Sequence, residues 1–87
     1  MRILLVDDDA LVLKSLQMIL EAEGIDAVYT SKNGKEAFDI YKNHDIDLVL
    51  QDIRLKEENG IDIASKLLEY DKEAKIILLT TFKDEEY

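Results

Sequence analysis

Apolar positions along the chain follow two rhythms that alternate. Three runs are nearly continuous: Ile3-Leu4-Leu5-Val6, Leu48-Val49-Leu50 behind Ile46, and Ile76-Ile77-Leu78-Leu79. Aliphatic runs of this length suit strands of a parallel sheet that are covered on both faces. They predict strands over Arg2–Val6, Ile46–Gln51 and Lys75–Thr80, with a shorter strand, Asp26–Thr30, around Ala27-Val28-Tyr29. Between them apolar residues recur at helical spacing. The first stripe is Val12, Leu13, Leu16, Ile19 and Leu20; the second is Ala37, Phe38 and Tyr41; the third is Ile63, Ala64, Leu67 and Leu68.

Punctuation agrees with these periods. Asp9 is placed to cap the first helix and Gly24 to stop it, glycine being the residue that enters the left-handed region without steric cost. Ser31 or Asn33 opens the second helix. Asn59-Gly60 marks a turn before a third helix from about Ile61 to Tyr70. Lys83–Tyr87 reads as the opening turn of another helix. The order is βαβαβαβ with crossovers of helical length. That order predicts an α/β fold: a parallel sheet, right-handed connections and helices on both faces. Residues 1–87 form one domain, without repeats or linkers.

Composition narrows the chemistry. With 87 residues the chain holds one core and a thin stability margin, since a domain this size buries only about 60–65% of its unfolded surface. It has no cysteine, which removes disulfides and thiolate metal sites, and its single histidine, His44, argues against histidine zinc sites and catalytic triads. A net charge of −9 disfavours direct binding to nucleic-acid phosphates. No apolar run approaches the roughly 20 residues that span a bilayer. No signal-peptide pattern precedes the first strand, so the expected location is the cytoplasm, with no membrane partner.

The acids then change the picture. The first strand runs into Asp7-Asp8-Asp9 and the third ends in Gln51-Asp52. Open α/β sheets place their chemistry at the carboxyl ends of their strands. Alone, Asp7-Asp8-Asp9 reads equally well as a solvated turn and helix cap, and Asp52 as a loop acid. Together, each after a buried strand, they form an oxygen-donor set for a hard divalent cation such as magnesium. A carboxylate beside such a cation can attack phosphorus, because the cation screens the incoming charge. Thr80 and Thr81 follow the fourth strand, where a hydroxyl would hydrogen-bond the transferred group. The remaining polar and aromatic residues have plainer readings. His44 is a solvated loop residue, Lys14, Lys35, Lys66 and Lys75 are surface charges, and Glu57-Glu58 is a loop charge run that reads as a solvated face ahead of a border to the cation site. Tyr29, Phe38 and Tyr41 fill core.

Leu4-Leu5-Val6-Asp7-Asp8-Asp9, Leu48 through Leu55, Asn59-Gly60 and Ile77-Leu78-Leu79-Thr80-Thr81 together resemble the receiver domain of two-component response regulators, along the whole chain. The resemblance implies a flavodoxin-like sheet, here with four strands in the order 2-1-3-4. It implies that Asp52 accepts a phosphoryl group from a histidine kinase. It also implies that Asp7, Asp8, Asp52 and the backbone carbonyl of Arg54 hold Mg2+, and that Thr80 is the switch hydroxyl, with Thr81 at a usually small position. Such a domain is a phosphoacceptor, not a turnover enzyme.

Against the family pattern, the fifth strand with its phosphate-pairing lysine and aromatic switch residue has no counterpart. Lys83 lies in the wrong loop to replace that lysine, and Lys56 stands where proline is common. The sequence therefore reads as a shortened receiver whose fourth strand is an open edge, prone to dimerise there or to exchange segments. Two other functions compete. One is an inactive fragment that folds or oligomerises without phosphotransfer. The other is a phosphatase of the haloacid dehalogenase type, with Asp7 rather than Asp52 as nucleophile. Direct nucleic-acid binding by this chain is not expected.

Overall fold

The computed structural model describes residues 1–80. Its elements are β1 (Arg2–Val6), α1 (Ala10–Ala22), β2 (Ala27–Ser31), α2 (Gly34–Asn43), β3 (Leu48–Asp52), α3 (Gly60–Tyr70) and β4 (Ile76–Leu79). The four strands form one parallel sheet in the order β2-β1-β3-β4. The α/β expectation and its strand order therefore hold. The expected helical turn at Lys83–Tyr87, and Thr81, lie outside the described residues.

Each helix starts where a side chain satisfies its first orphan amides. Asp9 accepts from the N–H groups of Leu11 and Val12 at 2.9 and 3.3 Å. Asn33 Oδ1 accepts from Glu36 at 2.9 Å, and Asn59 Oδ1 from Ile61 at 2.8 Å. Asn33, not Ser31, thus opens α2; Ser31 instead closes β2, paired with Val6. Gly24 follows α1 with φ +94°, the left-handed conformation that a side chain would strain.

Side-chain alternation along the strands divides the core in two. Leu4, Val6 and Val49 join Ala37 and Tyr41 of α2 with Ile63 and Leu67 of α3. On the opposite face Ile3 and Leu5 meet Leu13 of α1. Burying side chains of this size contributes about 1.5–3 kcal/mol each before entropy is charged. Two of the predicted stripes prove narrower. Ile19 is 57% exposed and Leu68 41% exposed. Helical periodicity had grouped them with the buried residues, but a single packing partner covers less than the full apolar arc. Phe38 is half-buried, packed against the core rather than within it.

Candidate functional site

β1 and β3 are neighbours in parallel register, Val6 opposite Gln51. Their carboxyl ends therefore lie side by side, and the next residues, Asp7 and Asp52, emerge together. Asp7, Asp8 and Asp52 each offer a carboxylate oxygen within 4.8 Å of the others. Asp7 is 3% exposed and Asp52 1%, while Asp8 is half-buried. Backbone amides orient two of the three: Asp9 N–H donates to Asp7 Oδ1 at 2.9 Å, and Lys56 N–H to Asp8 Oδ2 at 2.6 Å.

The donor set fits a hard cation. Oxygens on a common octahedral magnesium, each about 2.0–2.1 Å from it, are at most about 4.2 Å apart. Three donors share one octahedron only with adjacent pairs about 2.9 Å apart and at most one pair opposite, so binding would draw these side chains inward from a spread of up to 4.8 Å. Like charges this close repel, so an ion that neutralises them stabilises the arrangement. A bound divalent cation would neutralise the carboxylates and supply a Lewis acid at this edge of the sheet.

The other predicted residues take clear positions. Arg54 is exposed in the loop leaving Asp52, where it bridges antiparallel to Asn59. Gly60 N–H closes that bridge onto the Ile53 carbonyl at 2.8 Å. Thr80 is exposed immediately past Leu79, the register partner of Asp52. Asp52 is therefore flanked by the two β1 acids on one side and by the Thr80 strand on the other. Lys83 lies outside the described residues.

Several site residues escaped the sequence reading. Glu58 is not a solvated charge alone: its Oε1 accepts the Gly34 N–H at 2.8 Å, fastening the loop after Asp52 to the start of α2. Gly60 is required by close approach, since a Cβ built there would lie 1.8 Å from the Asp52 carbonyl oxygen. Gln51, buried inside an apparently apolar strand, donates its Nε2 to that same carbonyl at 3.0 Å. The turn signal at Asn59-Gly60 was a hint of the glycine's role; nothing in the spacing announced the others. His44 is exposed as read, but its ring packs 4.5 Å from that of Tyr29.

Comparison with known proteins closes the identification. The family model "response regulator receiver domain" matches residues 3–87. The chemotaxis protein CheY of Treponema pallidum is 36% identical over 87 residues, covering 98% of this chain and 60% of that protein. The transcriptional regulatory protein LnrK of Bacillus subtilis is 36% identical over 84 residues, covering 95% of this chain and 38% of that protein. This chain thus spans less than two thirds of either protein. Among solved structures, the response regulator TrrA of Thermotoga maritima in complex with Mg(2+)-BeF superposes with a TM-score of 0.85 at 36% identity, over 94% of this chain and 70% of that one. A complex of the histidine kinase ThkA with TrrA gives 0.85 at 35% identity, over 99% and 73%. The sheet order, the paired strand ends and these matches converge: the chain belongs to the response regulator receiver domain family.

Proposed function

We propose that this receiver domain takes a phosphoryl group onto Asp52 from a histidine kinase, with Asp7, Asp8, Asp52 and the Arg54 backbone carbonyl as the magnesium ligands. The observation that carries the reading is the convergence of three carboxylates within 4.8 Å at the ends of β1 and β3. Asp52 is the acceptor because β3 lies between the acids of β1 and the hydroxyl of Thr80. An Asp52 oxygen forms the new bond to phosphorus. The bond from phosphorus to the donor imidazole nitrogen breaks, and that nitrogen keeps the electron pair. Thr80 then hydrogen-bonds the transferred group as the switch hydroxyl. The chain acts as an acceptor rather than a turnover enzyme. The TrrA complexes support both the cation and the kinase as partners.

Location and assembly belong to the same reading. Among the described residues no helix is long and apolar enough to cross a membrane. The cytoplasm, where a histidine kinase presents its phosphohistidine, is the proposed compartment. A second copy pairs along β4, the outer strand in the observed order, which exposes Ile77 and Leu78. Sedimentation with and without Mg2+ tests that pairing.

Acetyl phosphate with Mg2+, followed by mass spectrometric mapping, tests the acceptor. Label appears on Asp52, disappears on chelation and is absent from Asp52→Asn, which keeps its cooperative melt. Label retained by that variant, or found on Asp7, overturns the assignment; Asp7 would instead point to the phosphatase. Magnesium at ten times its Kd should stabilise the fold by about 1.4 kcal/mol. That stabilisation without any label would favour the alternative of a chain that folds without phosphotransfer.

A further inference from the structure

Beside the acid cluster, α2, α3 and the loop after β3 leave an open groove of about 980 Å³, which shares Lys35, Glu57 and Glu58 with a smaller hollow at Asp8. Its apolar floor is Phe38, Ile63 and Tyr70, with the Phe38 and Tyr70 rings edge to face at 5.2 Å. Tyr70 is half open to solvent, so the floor is presented and not sealed. The walls carry the carboxylates of Asp39, Glu57, Glu58, Asp62 and Glu69 against Lys35 and Lys66, and a third cation, Lys42, holds its Nζ 5.4 Å from the centre of the Phe38 ring. Five negative charges against three, above a largely aromatic floor, make a surface that attracts cations and offers an apolar anchor point.

We propose that this groove docks a basic amphipathic helix from a partner protein. Two helical walls of 10 and 11 residues give a trough about 15 Å long, the span of three turns of a third helix. A helix lying there sets its apolar ridge on Phe38, Ile63 and Tyr70, and its lysines and arginines reach the carboxylates on both walls. Asp39 stands on one wall and Glu69 on the other, so both flanks of the helix are read. Acidic helices are rejected by the same charges. The docking needs no phosphoryl group on Asp52, so it stands or falls independently of the acceptor assignment.

The test uses the unphosphorylated chain without Mg2+. The probe is a synthetic amphipathic peptide of about four turns, with a Leu/Phe ridge flanked by Lys and Arg. Binding is read by fluorescence anisotropy and mapped by amide chemical-shift changes. Shifts should concentrate on α2, α3 and the loop 57–59. Asp39→Lys/Glu69→Lys should weaken binding about tenfold or more, and Tyr70→Ala by a similar factor. Glu21→Lys/Glu23→Lys on α1 makes the same change in net charge and should leave affinity within about twofold. Equal weakening by the two double variants would mean that the peptide reads only net charge, and the proposal fails. It fails equally if shifts centre on α1 or β4, or if a peptide with Glu replacing Lys and Arg binds as tightly. A cooperative melt for each variant separates lost docking from lost fold.

Discussion

Among the described residues, one side of the sheet is clothed by two helices and the other by one. Under α2 and α3, Leu4, Val6 and Val49 are sealed by Ala37, Tyr41, Ile63 and Leu67. Under α1, Ile3 and Leu5 meet the buried Leu13, while Leu16 and Leu20 are half-buried. α1 packs on β1 and β2, and Ile77, which shares the α1 side with its register partner Leu50, stays 48% exposed. The two faces carry similar aliphatic sequence. What differs is how many helices converge on them. Strand hydrophobicity sets how much surface seeks cover, and helix placement sets how much receives it.

Truncating each face should separate them most clearly. Leu67 has no exposed surface and sits where α3 meets the sheet, so Leu67→Ala leaves a closed cavity. It should cost about 3–5 kcal/mol, near the upper end for a core leucine. Leu13→Ala opens toward a helix flank that can settle inward, and should cost about 2–3 kcal/mol. Both are large against the roughly 4–13 kcal/mol total expected for a domain of this length. Urea unfolding at constant m-value measures the pair. Equal losses would mean that the α1 face is as deep as the other.

A smaller effect comes from the polar clasp on the thicker face. Tyr41 Oη donates to Asp71 Oδ2 at 2.7 Å, tying α2 to the end of α3. Burial first, and then the Asp71 carboxylate, pushes the Tyr41 phenol well above its ordinary 10.0. The hydroxyl in turn holds the Asp71 carboxyl below its ordinary 3.8, with help from the Glu73 N–H. The signs follow. The lowered Asp71 supplies stability above about pH 4 that fades as pH falls past its folded pKa. The raised Tyr41 supplies stability below about pH 10 that fades as pH climbs from there. Tyr41→Phe should cost about 0.5–1.5 kcal/mol near neutrality. Its deficit should shrink at both extremes in a pH series of melts; a deficit flat from acid to alkali would show that the clasp contributes nothing.

How much of this was legible depended on range. Continuous aliphatic runs ending in acids placed Asp7, Asp8 and Asp52 at one edge, because strand ends in a parallel sheet need only their order to be known. Asp9, Asn33 and Asn59 were readable as caps or turns, since each acts on amides two or three residues away. The Glu58 contact to Gly34 spans 24 residues and the Lys56 contact to Asp8 spans 48. Both use backbone N–H groups, which every residue but proline owns, so side-chain identity carried no mark of them. Gly60 falls between: its turn chemistry was visible, while the carbonyl pressed against it was not. The breadth of a helix's buried arc was equally hidden, as Ile19 and Leu68 show, because periodicity gives a direction and only packing gives a width.

Ile19 supplies the gentlest probe of the uneven sheet. It lies on the apolar stripe of α1, yet more than half of its surface meets solvent, as does that of the adjacent Met18. Ile19→Gln trades a β-branched residue for a better helix former and removes little buried area. Its unfolding free energy should therefore move by no more than about 0.5 kcal/mol. A loss near 2 kcal/mol would show that something covers this stripe in solution. If that loss vanished on dilution, the cover would be another copy of the chain, and the thin face would owe its stability to association.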